Sequence, residues 1–384
     1  MNQPTRATSI CLLSPSALPL VTGAAGRAGG AELDVWQIAT ALARDPAFRP
    51  ILAAVGDDTV RTSVAGVEVV SIARYRPERT RRGHFARYCG RVVRVLRGVD
   101  ADVYFCKGAS LEAVLCFIAS RAGRRRKFVF RLQHDWEASP ATLTGKIFGG
   151  QRLLARLFTI ALRQADALFA QTRTQQQRLR TDFGLQSTVL YNSHPIPPAA
   201  PLEKKRTVLW VGRAASYKRP EVFLDLAERL AGHPFVMVAT FDENHPSVFD
   251  ALRARSRHLA NLTLIEGASR DEVEGLFRAA RVYVLSSEAE GFPNVLVEAW
   301  KNCTPVASLR VDPDGLIRQH DAGFVADDDP EALTRGVTAL LEDDDLFRRT
   351  ADNGYAVARE LLDIDRTIES YKAIFAGNAA RSHA

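Results

Sequence analysis

The sequence predicts an α/β protein with two doubly wound parallel sheets, each in a domain of its own. Its 384 residues correspond to about two average domains. Short apolar runs alternate along the chain with longer stretches of helical periodicity, which is typical of parallel sheets covered by helices on both faces. A proline-rich segment near the middle of the chain divides these elements into two sets.

The two sets follow the same alternating order. In the first half, strands are expected at residues 9–13, 51–55, 67–72, 103–105, 128–132, 167–170 and 188–191, and helices at 31–43 and 85–97. In the second half, strands are expected at 207–211, 235–239, 262–265, 282–285 and 305–308, and helices at 220–230, 247–257, 270–279 and 295–302. Ligands of such sheets bind outside the carboxyl ends of the strands, so two of these domains facing each other would form a cleft.

The domain boundary is predicted from composition. Four prolines lie between Pro195 and Pro201, and a charged run follows at 203–206. Proline stiffens a linker and does not suit a central strand. The expected organisation is an N-terminal domain at 1–193, a linker at 194–206 and a C-terminal domain at 207–364.

Composition excludes several classes of protein. With 46% hydrophobic and 25% charged residues, the chain is neither disordered nor fibrous. Its five cysteines form no CxxC pair, so we expect no disulfide scaffold or structural zinc, and a cytoplasmic compartment. The apolar stretch at 10–21 superficially resembles a secretory signal, but the serines and prolines within it favour a strand that runs into a loop. The best apolar run, 113–119, is too short to span a bilayer, so any membrane contact is expected to be peripheral.

The positive charge is concentrated in the first half. Residues 1–200 carry 28 basic against 14 acidic side chains, whereas the remainder carries 23 against 30. Two arginine-rich segments account for much of this excess: Arg74, Arg76, Arg79, Arg81, Arg82, Arg87, Arg91, Arg94 and Arg97 in one, and Arg121, Arg124, Arg125, Arg126, Lys127 and Arg131 in the other. They can form a solvated face or bind anionic lipid headgroups. Nucleic acid is the weaker choice, because no recognisable binding module accompanies the charge.

Residues 282–300 carry the most informative functional pattern. An apolar strand ends in serines, and an acidic turn leads into a helix. Pro293 suits the first helical turn, and a helix N-terminus offers free N–H groups to a phosphate. Glu290 in the turn could bind a sugar hydroxyl, and Glu298, about two turns into the helix, a ribose of the same ligand. Each glutamate alone is better explained as a solvated acid, whereas the whole pattern favours a ligand site.

A second candidate segment is 208–220. Its strand ends in Gly212 and Arg213, and a short loop with Lys218 precedes a helix. Glycine lets the backbone approach a ligand closely, arginine can bind phosphate oxygens in a bidentate manner, and lysine acts as a compact charge. Two cations at the carboxyl edge of a sheet suit a diphosphate leaving group, although solvated surface bases are also common.

Two strand ends in the first half supply further candidates. Gly29 and Gly30 close a glycine-rich loop at 22–32 whose spacing does not match GxGxxG, which disfavours a Rossmann dehydrogenase. The loop is either a flexible turn or a segment that closes over a ligand. His134, after the strand at 128–132, is equally well explained as a substrate contact or a structural histidine.

Together these residues resemble the retaining glycosyltransferases of family 4, or group 1. Glu290 and Glu298, separated by seven residues, are similar to the paired-glutamate signature of that family. Gly212–Arg213 with Lys218 resembles its diphosphate-binding segment, and Gly29–Gly30 its first glycine-rich loop. The resemblance covers nearly the whole chain and is strongest over 205–320.

The resemblance implies a GT-B fold, with two Rossmann-like domains facing across a cleft and a C-terminal helix at 365–384 that packs back on the N-terminal domain. It implies transfer of a sugar from a nucleotide-diphosphate sugar, with retention and without metal or cofactor. The implied catalytic residues are Arg213, Lys218, Glu290 and His134. The implied donor-binding residues are Gly212, Gly267, Gly291, Phe292, Pro293, Asn294, Val295 and Glu298, and Gly29 and Gly30 would form the acceptor loop.

Two segments depart from the family pattern. Where the family often has Gly-x-Gly, this chain reads Ala-Thr-Phe-Asp at 239–242, and Asn192–Ser193 replaces Asn-Gly. These departures concern the details of the donor pocket.

The leading hypothesis is a glycosyltransferase of cell-surface polysaccharide or glycolipid biosynthesis. It would act on a glycan or lipid-linked acceptor, peripherally on the inner face of the plasma membrane, with no nucleic-acid partner; the oligomeric state stays open. The alternatives are a GT-B nucleotide-sugar epimerase and a non-enzymatic polyanion-binding protein.

Overall fold

The structure, a computed structural model, describes residues 6–22, 29–57, 61–74, 84–123, 126–202 and 205–377. The chain divides into two compact units. One unit runs up to Pro195 and resumes at Ile364, and the other comprises Ile196–Asp363. Each unit contains a sheet and a hydrophobic core of its own.

The first unit contains an eight-stranded sheet. Its strands are β1 (Thr8–Leu13), β2 (Phe48–Gly56), β3 (Arg61–Val64), β4 (Val67–Ala73), β5 (Val103–Lys107), β6 (Lys127–Arg131), β7 (Ala167–Ala170) and β8 (Thr188–Val189). Their order is β3-β4-β2-β1-β5-β6-β7-β8. All neighbours are parallel except β3 and β4, which form an antiparallel hairpin at the edge. This antiparallel edge was not predicted, because the largely exposed, polar β3 gives no apolar run in the sequence.

Helices cover both faces of this sheet. Those that precede the second unit in the chain are α1 (Leu18–Thr22), α2 (Gly30–Ala43), α3 (His84–Val99), α4 (Leu111–Arg121), α5 (Pro140–Thr142), α6 (Arg152–Arg163) and α7 (Arg173–Arg178). Alternate residues of the central strand face opposite cores: Cys11 and Leu13 pack with the α3, α4 and α6 side, and Ile10 and Leu12 with the α2 side. This two-sided burial explains why β1 is a nearly continuous apolar run.

The second unit contains a six-stranded parallel sheet in the order β11-β10-β9-β12-β13-β14. The strands are β9 (Thr207–Arg213), β10 (Phe235–Thr240), β11 (Leu262–Glu266), β12 (Ala280–Leu285), β13 (Val306–Ser308) and β14 (Gly323–Val325). Its helices are α8 (Pro220–Arg229), α9 (Pro246–Ser256), α10 (Arg270–Ala279), α11 (Asn294–Lys301), α12 (Leu316–Gln319), α13 (Pro330–Glu342) and α14 (Asp344–Leu361), and α15 (Ile364–Ala376) follows them in the chain. The prediction of two doubly wound α/β sheets is confirmed.

Helix α15 belongs to the first unit although it ends the described chain. The Tyr371 and Phe375 rings make edge contacts with Phe105 of β5, at centroid distances of 6.0 and 5.9 Å. Lys127 of β6 donates hydrogen bonds from Nζ to the carbonyl oxygens of Ile374 and Phe375. These contacts fasten the helix to the sheet face that α2 also covers.

The second arginine-rich segment does not form an exposed basic face in its described part. The Arg131 side chain is fully buried, Arg121 pairs with Asp166 at 2.9 Å, and Arg126 pairs with Asp100. Lys127 donates its hydrogen bonds to carbonyl oxygens of α15. Arg124 and Arg125 lie outside the described residues. The interpretation of this segment as a lipid-facing or solvated patch is therefore wrong for these side chains, which instead stabilise the fold.

The first arginine-rich segment differs from the second in its exposure to solvent. Arg76, Arg79, Arg81 and Arg82 lie outside the described residues, whereas α3 presents Arg87, Arg94 and Arg97 to solvent.

The charged run that follows the proline-rich segment includes a buried lysine. Lys205 is fully buried and donates from Nζ to the carbonyl oxygen of Arg278 at 2.9 Å and to Thr304 Oγ1 at 3.1 Å, with further carbonyls nearby. It caps the end of α10, where a cation is favourable. Its interpretation as solvated linker charge is therefore wrong.

Among the helices within the described ranges, none is both long and apolar enough to cross a membrane.

Candidate active site

In the second unit, Lys218 and Glu290 form an ion pair. Lys218 ends a short helical turn, Ser216–Lys218, after β9, and Glu290 lies in the loop between β12 and α11. Lys218 Nζ donates a hydrogen bond to Glu290 Oε1, and Ser287 Oγ donates to the same oxygen at 2.7 Å. The two charged side chains are only 18% and 10% exposed, so their attraction is weakly screened by solvent.

Two further hydrogen bonds join the two loops that carry this pair, and a third joins one of them to Trp210 of β9. Ser286 Oγ donates to the carbonyl oxygen of Lys218 at 2.6 Å and accepts from Trp210 Nε1 at 3.0 Å. The Glu288 N–H donates to the carbonyl oxygen of Tyr217 at 2.8 Å. Because β9 and β12 are neighbours in the sheet, the sequence runs that end these strands meet at the same carboxyl edge.

Arg213 ends β9 beside this pair. Its NH1 donates to Asp242 Oδ2 at 3.2 Å, and its NH2 donates to the Tyr217 hydroxyl at 2.8 Å. Asp242 follows β10, is 6% exposed and also accepts from the Asn244 N–H at 3.0 Å. Asp242 belongs to the segment 239–242, where the family often has Gly-x-Gly instead. It holds the guanidinium group of Arg213, whose side chain is 56% exposed.

Two predicted glycines of this edge have different reasons to be glycine. At Gly212, an added Cβ would lie 3.0 Å from Trp210 Cη2. At Gly267, the space is open but φ is +79°, a conformation that strains other residues. Gly212 therefore permits the tryptophan packing, and Gly267 permits the turn after β11.

The turn between Glu290 and Glu298 leads into α11. Gly291, Phe292 and Pro293 are buried, whereas Asn294 and Val295 are partly exposed at the start of the helix. The helix begins at Asn294, with Pro293 in an extended conformation just before it, so the placement of Pro293 in the first turn is wrong by one residue. The N-terminus of this helix lies at the carboxyl edge of the sheet, where a phosphate is favourable.

Glu298 lies about one turn into α11 rather than two. Its Oε2 is 2.6 Å from Lys301 Nζ, and the same ammonium is 3.2 Å from Glu274 Oε2. Lys301 is 5% exposed and Glu298 13%. Sequence reasoning missed Lys301, although the spacing of three residues on a helix places the two side chains side by side.

His134 lies in the first unit, in the loop after β6. Its ring stacks on Trp136 with a centroid distance of 5.9 Å, and Lys146 Nζ lies 4.6 Å from the centroid of the same Trp136 ring. Glu137, which is buried, accepts from the Gln133 N–H at 2.8 Å and from the Ala109 N–H at 3.0 Å. Burial raises the pKa of the Glu137 carboxyl to about 7, against the lowering effect of these N–H groups. Glu137 thus joins the loops after β5 and β6 and fixes the backbone beside His134.

The carboxyl edge of the first sheet also contains a buried ionic cluster that the sequence did not reveal. Asp34 of α2 pairs through Oδ2 with Lys107 Nζ at 2.9 Å and with Arg131 NH1 at 2.5 Å. Burial lowers the pKa of Lys107 to about 8. Burial by itself would raise the pKa of Asp34, but Arg131 and Lys107 outweigh it and hold that pKa below its usual value. The one feature of the sequence that could have indicated this cluster is that Lys107 and Arg131 each end an apolar strand.

The buried cluster also fixes the start of α2, the helix that follows the predicted glycine loop. Gly29 directly precedes α2 and donates its N–H to Glu32 Oε2 at 2.8 Å, and Gly30 begins the helix. Residues 23–28 of the loop lie outside the described residues. Asp34, one turn further along, ties this end of α2 to β5 and β6.

The predicted site residues thus fall into two sets. Arg213, Lys218 and Glu290 share one sheet edge in the second unit, whereas His134, Gly29 and Gly30 belong to the first unit. Over the described ranges, no group of three or more His, Cys, Asp or Glu side chains is arranged to hold a metal ion.

Comparisons with known proteins assign each unit to a glycosyltransferase family. The model described as "Glycosyltransferase Family 4" matches residues 28–194, and the model described as "Glycosyl transferases group 1" matches residues 196–357. The fold is similar to that of Anabaena HepE, crystallised in complex with UDP and glucose, with a TM-score of 0.72 and 18% identity, covering 96% of this chain and 100% of that chain.

Two curated relatives match shorter segments. The lipopolysaccharide core biosynthesis glycosyltransferase LpsE of Rhizobium meliloti is 32% identical over 88 residues, which are 22% of this chain and 26% of LpsE. The D-inositol 3-phosphate glycosyltransferase of Mycolicibacterium smegmatis is 27% identical over 190 residues, which are 46% of this chain and 44% of that protein. The aligned segments therefore span less than half of either relative. Since the two family models together cover most of the chain and the fold is that of GT-B enzymes, the protein belongs to the group 1 glycosyltransferases.

Proposed function

We propose that the protein transfers a sugar from a nucleotide-diphosphate sugar to a glycan or lipid-linked acceptor, with retention of anomeric configuration and without a metal ion. The observation that carries this proposal is the placement of Arg213 and Lys218 together at the carboxyl edge of the second sheet, beside the N-terminus of α11. Positive groups fixed in advance stabilise a departing diphosphate, which is where charge develops in this reaction. HepE, a protein of the same fold, was crystallised with UDP and glucose, which supports this class of donor.

We assign donor binding to the C-terminal domain, 207–364. Arg213 and Lys218 bind the diphosphate, Glu290 holds hydroxyl groups of the donor sugar, and Glu298 binds the nucleotide ribose. Gly212, Gly267 and the turn 291–295 shape the pocket around them. Binding of the diphosphate replaces Glu290 as the partner of Lys218, which makes the carboxylate available to the sugar.

We assign acceptor binding to the N-terminal domain, 1–193, with Gly29 and Gly30 in a loop beside the acceptor and His134 near the reacting sugar. The acceptor hydroxyl attacks the anomeric carbon from the face that the diphosphate leaves. The new carbon–oxygen bond forms as the bond to the phosphate oxygen breaks, and the hydroxyl proton passes to that phosphate oxygen.

The acceptor is proposed to belong to cell-surface polysaccharide or glycolipid biosynthesis. One relative of this chain is a lipopolysaccharide core glycosyltransferase, and the first 200 residues carry 28 basic against 14 acidic side chains. An excess of positive charge favours contact with the anionic inner face of the plasma membrane. We therefore propose a cytoplasmic, peripheral location for the enzyme.

A thermal-shift screen of UDP- and GDP-sugars tests donor binding, because a ligand raises the unfolding temperature according to its concentration relative to Kd. The best donor, incubated without acceptor, should be hydrolysed slowly and keep its sugar configuration. Conversion of the sugar to its epimer would contradict the proposal and identify an epimerase. With an acceptor extract, NMR of the product should show the donor's anomeric configuration, and EDTA should leave the rate unchanged.

A further inference from the structure

The exposed large apolar side chains of the described residues all lie on three neighbouring helices. They are Phe85 on α3, Ile118 on α4, and Leu153, Leu157 and Ile160 on α6, with Leu153 72% exposed. Helix α4 contacts both α3 and α6, and all three helices pack against the same core of the first unit. The five side chains therefore belong to one helical layer, which we call the α3–α4–α6 surface.

Helix α6 has two separate outward stripes. Its buried side, Ala155, Phe158, Ala161 and Leu162, faces the core. Leu153, Leu157 and Ile160 recur at spacings of four and three residues and form an exposed aliphatic stripe. Arg152, Arg156 and Arg163 are also exposed. With 3.6 residues per turn, they share one side of the helix and form a second stripe beside the aliphatic one. A monomeric protein seldom exposes an apolar stripe without a partner for it.

The charged side chains of α3 and α6 are all basic. The sequences of α3 and α6 contain no acidic residue, and Glu112 of α4 accepts a hydrogen bond from the Tyr88 hydroxyl at 2.8 Å. Over the described part of the chain, Arg152, Arg156 and Arg163 make no ion pair. Aliphatic side chains rimmed by unneutralised arginines complement a surface that is apolar below and anionic above.

We infer that the α3–α4–α6 surface docks the first unit onto an anionic lipid bilayer, with the aliphatic stripe of α6 inserted at headgroup depth and the arginines bound to lipid phosphates. This inference rests on the proposed function, in which the acceptor is lipid-linked. It adds the surface that contacts the bilayer and the apolar side chains that insert. Electrostatic attraction alone would not require exposed leucines, and a protein partner would not require an arginine stripe without acids.

Flotation of the purified protein with lipid vesicles tests the inference. The probes are phosphatidylcholine vesicles with and without phosphatidylglycerol, at low and high salt. One variant replaces the aliphatic stripe (Leu153→Gln, Leu157→Gln, Ile160→Gln) and a second replaces the arginine stripe (Arg152→Gln, Arg156→Gln, Arg163→Gln). The matched control removes three exposed arginines from α14 of the other unit (Arg348→Gln, Arg349→Gln, Arg359→Gln).

The wild type and the α14 control should float with the anionic vesicles. The aliphatic variant should lose roughly tenfold or more in partitioning at both salt concentrations. The arginine variant should lose a similar factor at low salt and show little remaining salt dependence. All variants sit on exposed positions, and circular dichroism checks that they fold.

The inference is overturned if the wild type does not bind anionic vesicles, or if the aliphatic variant floats as the wild type does. Lipid-independent self-association that the aliphatic variant abolishes would also overturn it, by assigning the surface to a second copy of the chain. Hydrolysis of the nucleotide sugar in vesicle-free solution reports the proposed function separately. Failure of that reaction with intact flotation would contradict the proposed function and leave the docking surface standing.

Discussion

Lys218 Nζ donates a hydrogen bond to Glu290 Oε1 although the two residues lie 72 positions apart in the sequence. Ser287 Oγ donates to the same oxygen at 2.7 Å, so the carboxylate is held from two sides. In the proposed reaction the diphosphate takes the place of this carboxylate beside Lys218, and the ion pair keeps both side chains in position before the donor binds.

Lys218→Ala removes the compact charge that faces the diphosphate. We expect kcat/KM for the donor to fall by roughly 100- to 1,000-fold, the usual loss when one stabilising donor of a transition state is removed. Glu290→Gln keeps the shape but loses the charge, and should lower kcat by a similar order. Ser287→Ala, which removes a single neutral hydrogen bond, is the matched control and should cost less. Steady-state kinetics with a radiolabelled donor sugar measures all three, and near-wild-type turnover in both charge variants would refute the assigned roles.

Asp242→Asn tests whether Arg213 needs its carboxylate anchor. The side chain keeps its size, but the guanidinium loses a charged partner at 3.2 Å. We expect kcat to fall by roughly tenfold with a smaller change in donor KM. The reason is that displacing the guanidinium weakens its interaction with the transition state more than its interaction with the bound donor. Ser216→Ala, in the adjacent turn, serves as the control. A variant with raised KM and unchanged kcat would instead make Asp242 a determinant of ground-state binding.

Asp34→Ala should destabilise the first unit strongly. The substitution leaves Lys107 and Arg131, which are 2% and 0% exposed, without their carboxylate partner. Breaking a buried ion pair in this way costs about 3–5 kcal/mol in the free energy of unfolding. Asp365→Ala provides the control, because its pair with Arg44 is 66% and 59% exposed and should contribute less than about 1 kcal/mol. Urea denaturation compares the two variants, and equal losses would show that the buried cluster contributes no more than a surface pair.

Glu137 should make stability fall as pH rises. Its pKa is about 7 in the folded protein and about 4.3 in an unfolded chain, so the folded state binds more protons between these values. The stabilisation is therefore complete below about pH 4.3 and is lost as pH rises through 7, by about 4 kcal/mol in total.

Glu137→Gln cannot titrate and should remove this fall from the pH dependence of the unfolding free energy. Glu331→Gln, at an exposed position of α13, is the control and should keep the wild-type profile. Chemical denaturation at a series of pH values measures both variants. If the wild type and Glu137→Gln change in parallel between pH 4 and 8, the assignment of this slope to Glu137 is wrong.

Much of the fold and part of the candidate site follow from local sequence. Strands buried on both faces must be nearly continuous apolar runs, so β1 and β12 can be predicted without neighbours. The turn from Glu290 to Asn294 and the strand end at Gly212 and Arg213 lie within short segments whose composition shows both the turn and the charge. By contrast, the exposed β3 and the three-residue β14 lack an apolar run and could not be predicted.

Only the tertiary structure decided which charges meet and which remain exposed. The sequence places Arg131 in an arginine-rich segment, but the strand order buries it with Asp34, 97 residues away, while the arginines of α6 stay on the surface. It likewise brings Asp242 to Arg213 and Glu290 to Lys218, because parallel strands deliver their carboxyl ends to one edge regardless of their separation in the chain. Charge interactions depend on distance in space and on burial, and neither quantity can be read from a residue's position along the sequence.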